Sequence, residues 1–158
     1  MCIRDRLIGL CDLEARRLHL LSAGHHWPSI CADGRPVECL DAEGTLPWGI
    51  FVGREPEPLT LDLRSDDWSV VAYTDGAADA LVAGGKPYGR ERLSAVHRKH
   101  HHRPADELCE EILTDILSAS DQSIPQDDDI TLLVIRSATQ IAASKAVPLA
   151  RRMPTHRG

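Results

Sequence analysis

Residues 69–80 read SVVAYTDGAADA, a run of apolar strand formers that ends on Asp75-Gly76. A strand of Val70, Val71, Ala72 and Tyr73 belongs in a core, and a carboxylate at its tip needs a reason to be there. A second apolar run, residues 130–135 (ITLLVI), begins directly after Asp127-Asp128-Asp129. If these two strands lie antiparallel, with backbones about 4.8 Å apart, the end of one meets the beginning of the other. Asp75 and the 127–129 acids then share one edge of a sheet. Clustered carboxylates repel unless a cation separates them, and a hard divalent ion such as Mg²⁺ or Mn²⁺ takes oxygen ligands of this kind. The reading is therefore that the strand delivers Asp75 to a metal, with Gly76 letting the backbone turn away. Singly, Asp-Gly is a common turn and an Asp run a solvated loop. What favours the metal is that both acids stand at matching ends of the two most apolar strands.

Working outward, residues 6–12 and 17–23 have the spacing of a hairpin, and 28–32 with 36–40 that of a second one turning at Asp33-Gly34. Residues 41–58, rich in Gly, Pro and Glu, read as a loop anchored by Trp48. Residues 59–63 (LTLDL) alternate like a half-wet strand. Helices are expected only after Gly76, over 90–101 and 104–118. The second has Pro104 in its first turn, acids Asp106, Glu107, Glu110 and Glu111 toward its positive end, and an apolar face of Leu108, Ile112, Leu113, Ile116 and Leu117. Antiparallel strands, then helices, then a returning strand make an α+β domain.

The composition is that of an ordinary globular protein, 42% hydrophobic and 27% charged over 158 residues. A net charge of -6 argues against nucleic-acid binding through bulk electrostatics. Residues 137–158 carry Lys145, Arg151, Arg152 and Arg157 without an acid and read as a flexible basic tail after a domain at 1–136. The five cysteines are scattered without a Cys-x-x-Cys pair, which reads as reduced, mostly buried thiols. No run approaches the roughly 20 apolar residues of a membrane span, and the start lacks signal-peptide architecture, so a cytoplasmic protein is expected.

Five motifs in order, SAGHHWP (22–28), LPWG (46–49), VVAYTDGAADA (70–80), YGRERL (88–93) and DDITLLVI (128–135), carry a family likeness. Together they resemble the C-terminal two-thirds of metal-dependent protein phosphatase 2C, in the SpoIIE/RsbU-like bacterial serine phosphatase branch. The resemblance implies an antiparallel β-sandwich flanked by helices, N-terminally truncated here, around a two-metal Mn²⁺ or Mg²⁺ centre whose bound water attacks phosphoserine. It implies Asp75 and Asp128 as metal ligands, with Gly76, Asp129 and Thr131 supporting them. The implied substrate is a phosphoserine protein, such as a STAS-type anti-anti-sigma factor in sigma-factor signalling, with an upstream sensory domain in the complete gene product.

The family's bridging aspartate, in an Asp-x-x-Gly-His-Gly segment, has no counterpart in these residues. Neither Asp5 nor Asp12 stands in for it, so the chain as written is expected to be poorly active and prone to aggregate. The alternative is a non-catalytic, phosphatase-like module that binds a partner. His25 reads as a shaping residue and not a ligand. His97, His100, His101 and His102 form a dense imidazole cluster, with His97 and His101 at a metal-capable spacing, but the surrounding Arg98, Lys99 and Arg103 favour a solvated helix end.

Overall fold

The computed structural model describes residues 6–36, 58–120 and 128–137. The chain runs through β1 (Arg6–Asp12), β2 (Arg17–Ala23), β3 (Ser29–Ala32), β4 (Arg35–Pro36), β5 (Leu59–Asp62) and β6 (Trp68–Tyr73). After β6 come a helical turn α1 (Asp75–Ala78), the short strands β7 (Leu81–Val82) and β8 (Lys86–Pro87), helices α2 (Arg90–His100) and α3 (Ala105–Ala119), and the last strand β9 (Leu132–Arg136). All pairings between these strands are antiparallel, in sheets ordered β1-β2-β5, β4-β3-β6-β9 and β7-β8.

Period-two alternation along β6 decides how the layers stack, because successive side chains leave opposite faces of the sheet. Val70, with Ile30 of β3, packs toward Leu18 and Leu20 of the three-stranded sheet and Leu63 just after β5, where Trp27 completes the cluster. Val71 and Tyr73 point the other way, into a core of Leu93 from α2 and Leu108, Ile112 and Ile116 from α3. The central sheet is thus covered by a sheet on one face and by helices on the other. Helix α3 holds its place through a 3.6-residue apolar stripe, while Leu113 and Leu117, one position further round, stay exposed.

The first hairpin, the part of the second nearest its turn, the half-wet strand and both long helices form where expected, with ends shifted by a residue or two. Pro104 is the N-cap residue of α3 and not part of its first turn. Asp33 and Gly34 both have positive φ (51° and 70°), the pair of left-handed residues that a tight hairpin turn needs. The expectation that helices begin only after Gly76 is corrected, since α1 starts at Asp75 itself. The β7–β8 hairpin, turning on Gly84 and Gly85, was not read from the sequence because two-residue strands leave no periodicity to detect. Among the described residues the thiols are free, and of these Cys31 is buried, Cys11 exposed and Cys109 half-buried. The expected loop at 41–58 with Trp48, the outer part of the second hairpin, Asp127 and the basic tail lie outside the described residues, apart from Pro58 at the loop's end and Ser137 at the start of the tail. No described helix is long and apolar enough to cross a membrane.

Candidate functional site

Strands β6 and β9 pair with Tyr73 opposite Leu132, so the residues after one and before the other leave the sheet at the same edge. The ladder continues one step further: the Thr74 amide donates to the Thr131 carbonyl at 3.1 Å. From there the two segments are joined by side-chain bonds. Thr74 Oγ1 donates to the Asp129 carbonyl at 3.0 Å and accepts from the Thr131 amide, also at 3.0 Å. Next in line is Gly76, whose position leaves no room for a side chain, since a Cβ there would lie 2.5 Å from the Asp129 carbonyl oxygen and 3.0 Å from that of Asp128. Glycine is required here by close approach of two backbones.

The result is that Asp75 and the Asp128-Asp129 pair, some fifty residues apart in sequence, sit on two backbone segments in van der Waals contact. All three acids are exposed, whereas Gly76 beneath them is buried. Asp75 Oδ1 accepts from the Gly76 amide at 3.0 Å, which orients the carboxylate at the start of α1. Asp128, Asp129 and Thr131 lead into β9, and Thr131 meets Thr74 through its backbone amide and carbonyl. Thr74 was missed in the sequence. The signal was a hydroxyl residue just before Asp-Gly, which normally announces a cap on its own helix and here makes none.

The loop between β2 and β3 approaches the same edge. The His26 ring stacks on Tyr73, centroids 6.0 Å apart, two residues before Asp75. Ser22 Oγ donates to the His25 carbonyl at 2.5 Å, and His25 Nδ1 donates to the His26 carbonyl at 2.8 Å. Burial raises the Tyr73 hydroxyl pKa, and the charge of Arg90 at the start of α2, with a hydrogen bond from it, partly offsets this.

The histidine cluster lies elsewhere and does not assemble as a ligand set. His97 is buried, with Nδ1 2.9 Å from Ser29 Oγ and Nε2 2.8 Å from Ser69 Oγ, so it bridges α2 to β3 and β6. That corrects the solvated-helix-end reading for His97. Burial, with the nearby His101, lowers its pKa to about 4 and keeps it neutral. His101 turns instead toward Asp67, 3.5 Å away. Among the described residues, no three His, Cys, Asp or Glu side chains gather closely enough to hold an ion by themselves.

The sequence of residues 6–138 matches the family model for Stage II sporulation protein E, SpoIIE. The chain belongs to the SpoIIE family. The fold agrees with solved phosphatase domains. The SiaA-PP2C domain of Pseudomonas aeruginosa superposes with a TM-score of 0.66 at 23% identity, over 84% of this chain and 51% of that one. The RsbU and RsbW domains of Rv1364c from Mycobacterium tuberculosis give 0.67 at 24% identity, over 85% and 36%. The PP2C phosphatase domain of SpoIIE from Bacillus subtilis, solved with a fragment of its regulatory domain, gives 0.64 at 16%, over 84% and 37%. At these identities the likeness establishes the fold, that of a PP2C phosphatase domain. The chain spans about half or less of the length of these three structures. Curated protein sequences gave no match.

Proposed function

We propose that this chain is part of a metal-dependent protein serine/threonine phosphatase domain acting on phosphoserine of a bacterial regulatory protein, such as a STAS-type anti-anti-sigma factor, in the cytoplasm. The observation that carries the reading is the contact between the Asp75-Gly76 turn and the Asp128-Asp129 segment at one edge of the central sheet. Membership of the SpoIIE family supports the reaction class.

The donor chemistry fits a hard divalent ion, because the acids on the two contacting segments offer carboxylate oxygens. Asp75 and Asp128 would hold Mn²⁺ or Mg²⁺, with Asp129 and Thr131 orienting them and Gly76 permitting the approach. When bound, such ions lower the pKa of a water molecule and neutralise phosphoryl oxygens during in-line displacement. The chain's own contribution would be to carry the two acids on backbone segments hydrogen-bonded to each other, which reduces the ordering left to be done at binding. The family's Asp-x-x-Gly-His-Gly segment is absent from these 158 residues. The described ligands are therefore a partial set, and the chain by itself should hydrolyse slowly or not at all.

Asp75→Asn and Asp128→Asn, made in a version that includes that segment, should each lower Mn²⁺-dependent hydrolysis of a phosphoserine protein by about 100-fold or more, with melting unchanged. Wild-type rates in either variant reject the assignment. The second reading, a non-catalytic partner-binding module, is favoured by the lack of a complete ligand cluster among the described residues. It predicts no hydrolysis even when the segment is present.

A further inference from the structure

We infer that the Thr74 hydroxyl is a positioning group that sets the separation of the two carboxylate-bearing segments, and through it the affinity for a divalent cation. The inference rests on the metal-site reading above. A threonine hydroxyl has one proton to give and lone pairs to accept with, and here both capacities are used across the junction. The proton goes to the Asp129 carbonyl and a lone pair receives the Thr131 amide. With the Thr74 amide bonded to the Thr131 carbonyl, one residue makes three hydrogen bonds to the opposing segment.

Thr74 stands in the N-cap position of α1, where a hydroxyl ordinarily bonds its own helix. It makes no such cap, and the Gly76 amide is served by Asp75 instead. The hydroxyl is thus committed to the opposite segment at the expense of its own helix. Thr74 is covalently next to Asp75, and Asp129 next to Asp128, so any slack in these bonds passes directly into the spacing of the two carboxylates. Gly76 blocks movement in the other direction, because the Asp129 backbone already lies against it. One contact limits how close the segments come and the other limits how far apart.

The test measures binding of MnCl₂ alone by calorimetry, in a version that includes the Asp-x-x-Gly-His-Gly segment, for wild type, Thr74→Val and Thr74→Ser. Valine keeps the shape and loses both hydrogen bonds, while serine keeps the hydroxyl and loses the methyl. Residues that orient metal ligands typically change affinity by about 10- to 100-fold, and a loss in that range is expected for T74V, with T74S staying close to wild type. Amide hydrogen exchange at Thr131 should quicken in T74V and not in T74S. A purely structural role would lower the melting temperature of T74V but leave the folded protein's Mn²⁺ affinity alone, and that result overturns the inference while leaving the metal site standing. Wild-type protein that binds no Mn²⁺ overturns both. Should T74V fail to fold, T74S decides, and a tenfold weaker T74S overturns the inference.

Discussion

The two faces of the central sheet are built to different standards. On the helix side, Leu93, Leu108, Ile112 and Ile116 are all 0% exposed and close over Val71 and Tyr73. On the other side, the three-stranded sheet buries Leu18 and Leu20 but leaves β1 with Ile8, Leu10 and the adjoining Leu13 in solvent, and Leu133 and Ile135 of β9 are also uncovered. Cross-strand pairing explains the latter pair: Ile135 stands opposite Val70 and Leu133 opposite Ala72, on the face turned away from the helices. The outer sheet is otherwise fastened by exposed ion pairs such as Arg17–Asp62 and Arg64–Asp62, each worth little in water. Stability should therefore reside in the helix-backed core, which also carries the Asp75 and Asp128 segments.

The largest effect should follow from breaking that core. Ile112→Ala leaves a cavity at a fully enclosed position and should cost roughly 2–5 kcal/mol in chemical denaturation, enough to unfold a marginal domain. A cost below about 1 kcal/mol would mean that the helices can be loosened without penalty, and the contrast between the faces would vanish.

A second effect of similar size sharpens the contrast, because the helix side also has a polar tie. His97, bonded to Ser29 and Ser69, holds α2 to β3 and β6 only while neutral or suitably hydrogen-bonded. Its pKa falls from 6.5 to about 4 chiefly through burial. Below pH 6.5 the unfolded chain takes up a proton that the folded chain refuses, so stability falls as pH drops toward 4. The full difference between the two values corresponds to about 3 kcal/mol. Denaturation midpoints measured at intervals from pH 7.5 to pH 4 should decline across that window, and His97→Gln, which can still donate and accept, should flatten the slope. An unchanged slope in H97Q would assign the acid sensitivity to other groups.

Much of this arrangement was legible in the sequence, for reasons that differ between elements. The α3 stripe is periodic over enough residues to declare a helix, the unbroken apolar run of β6 declares a buried strand, and the pairing of β6 with β9 follows from two apolar runs bounded by acids at matching ends. The β7–β8 hairpin and α1 were not legible, since elements of two to four residues are made by the tertiary contacts around them. The Tyr88 amide bonded to the Ala80 carbonyl, and that of Gly89 to Ala78, are such contacts. His97 was misread because its neighbours Arg98 and Lys99 are charged. Helical geometry turns those two outward and His97 inward, and only the presence of Ser29 and Ser69 on the facing strands makes a buried imidazole affordable. Thr74 was overlooked since its partners are backbone groups of a distant segment, and backbone groups carry no sequence signal.

The smallest stability effect belongs to the outer face, and it tests the comparison from the other end. Leu10 pairs with His19 across β1 and β2 and is 64% exposed, so replacing it removes little buried area. Leu10→Thr introduces a β-branched residue suited to a strand and should change stability by no more than about 0.5 kcal/mol. What should change is association. Ile8 and Leu10 on the edge strand β1 and Leu13 just after it are exposed apolar side chains, a combination that promotes contact between molecules. Sedimentation of L10T against wild type at increasing concentration should show less self-association in the variant. A loss of 2 kcal/mol or more in L10T would show that this face is packed against something in solution, and the outer sheet would then carry stability comparable to that of the helix-backed side.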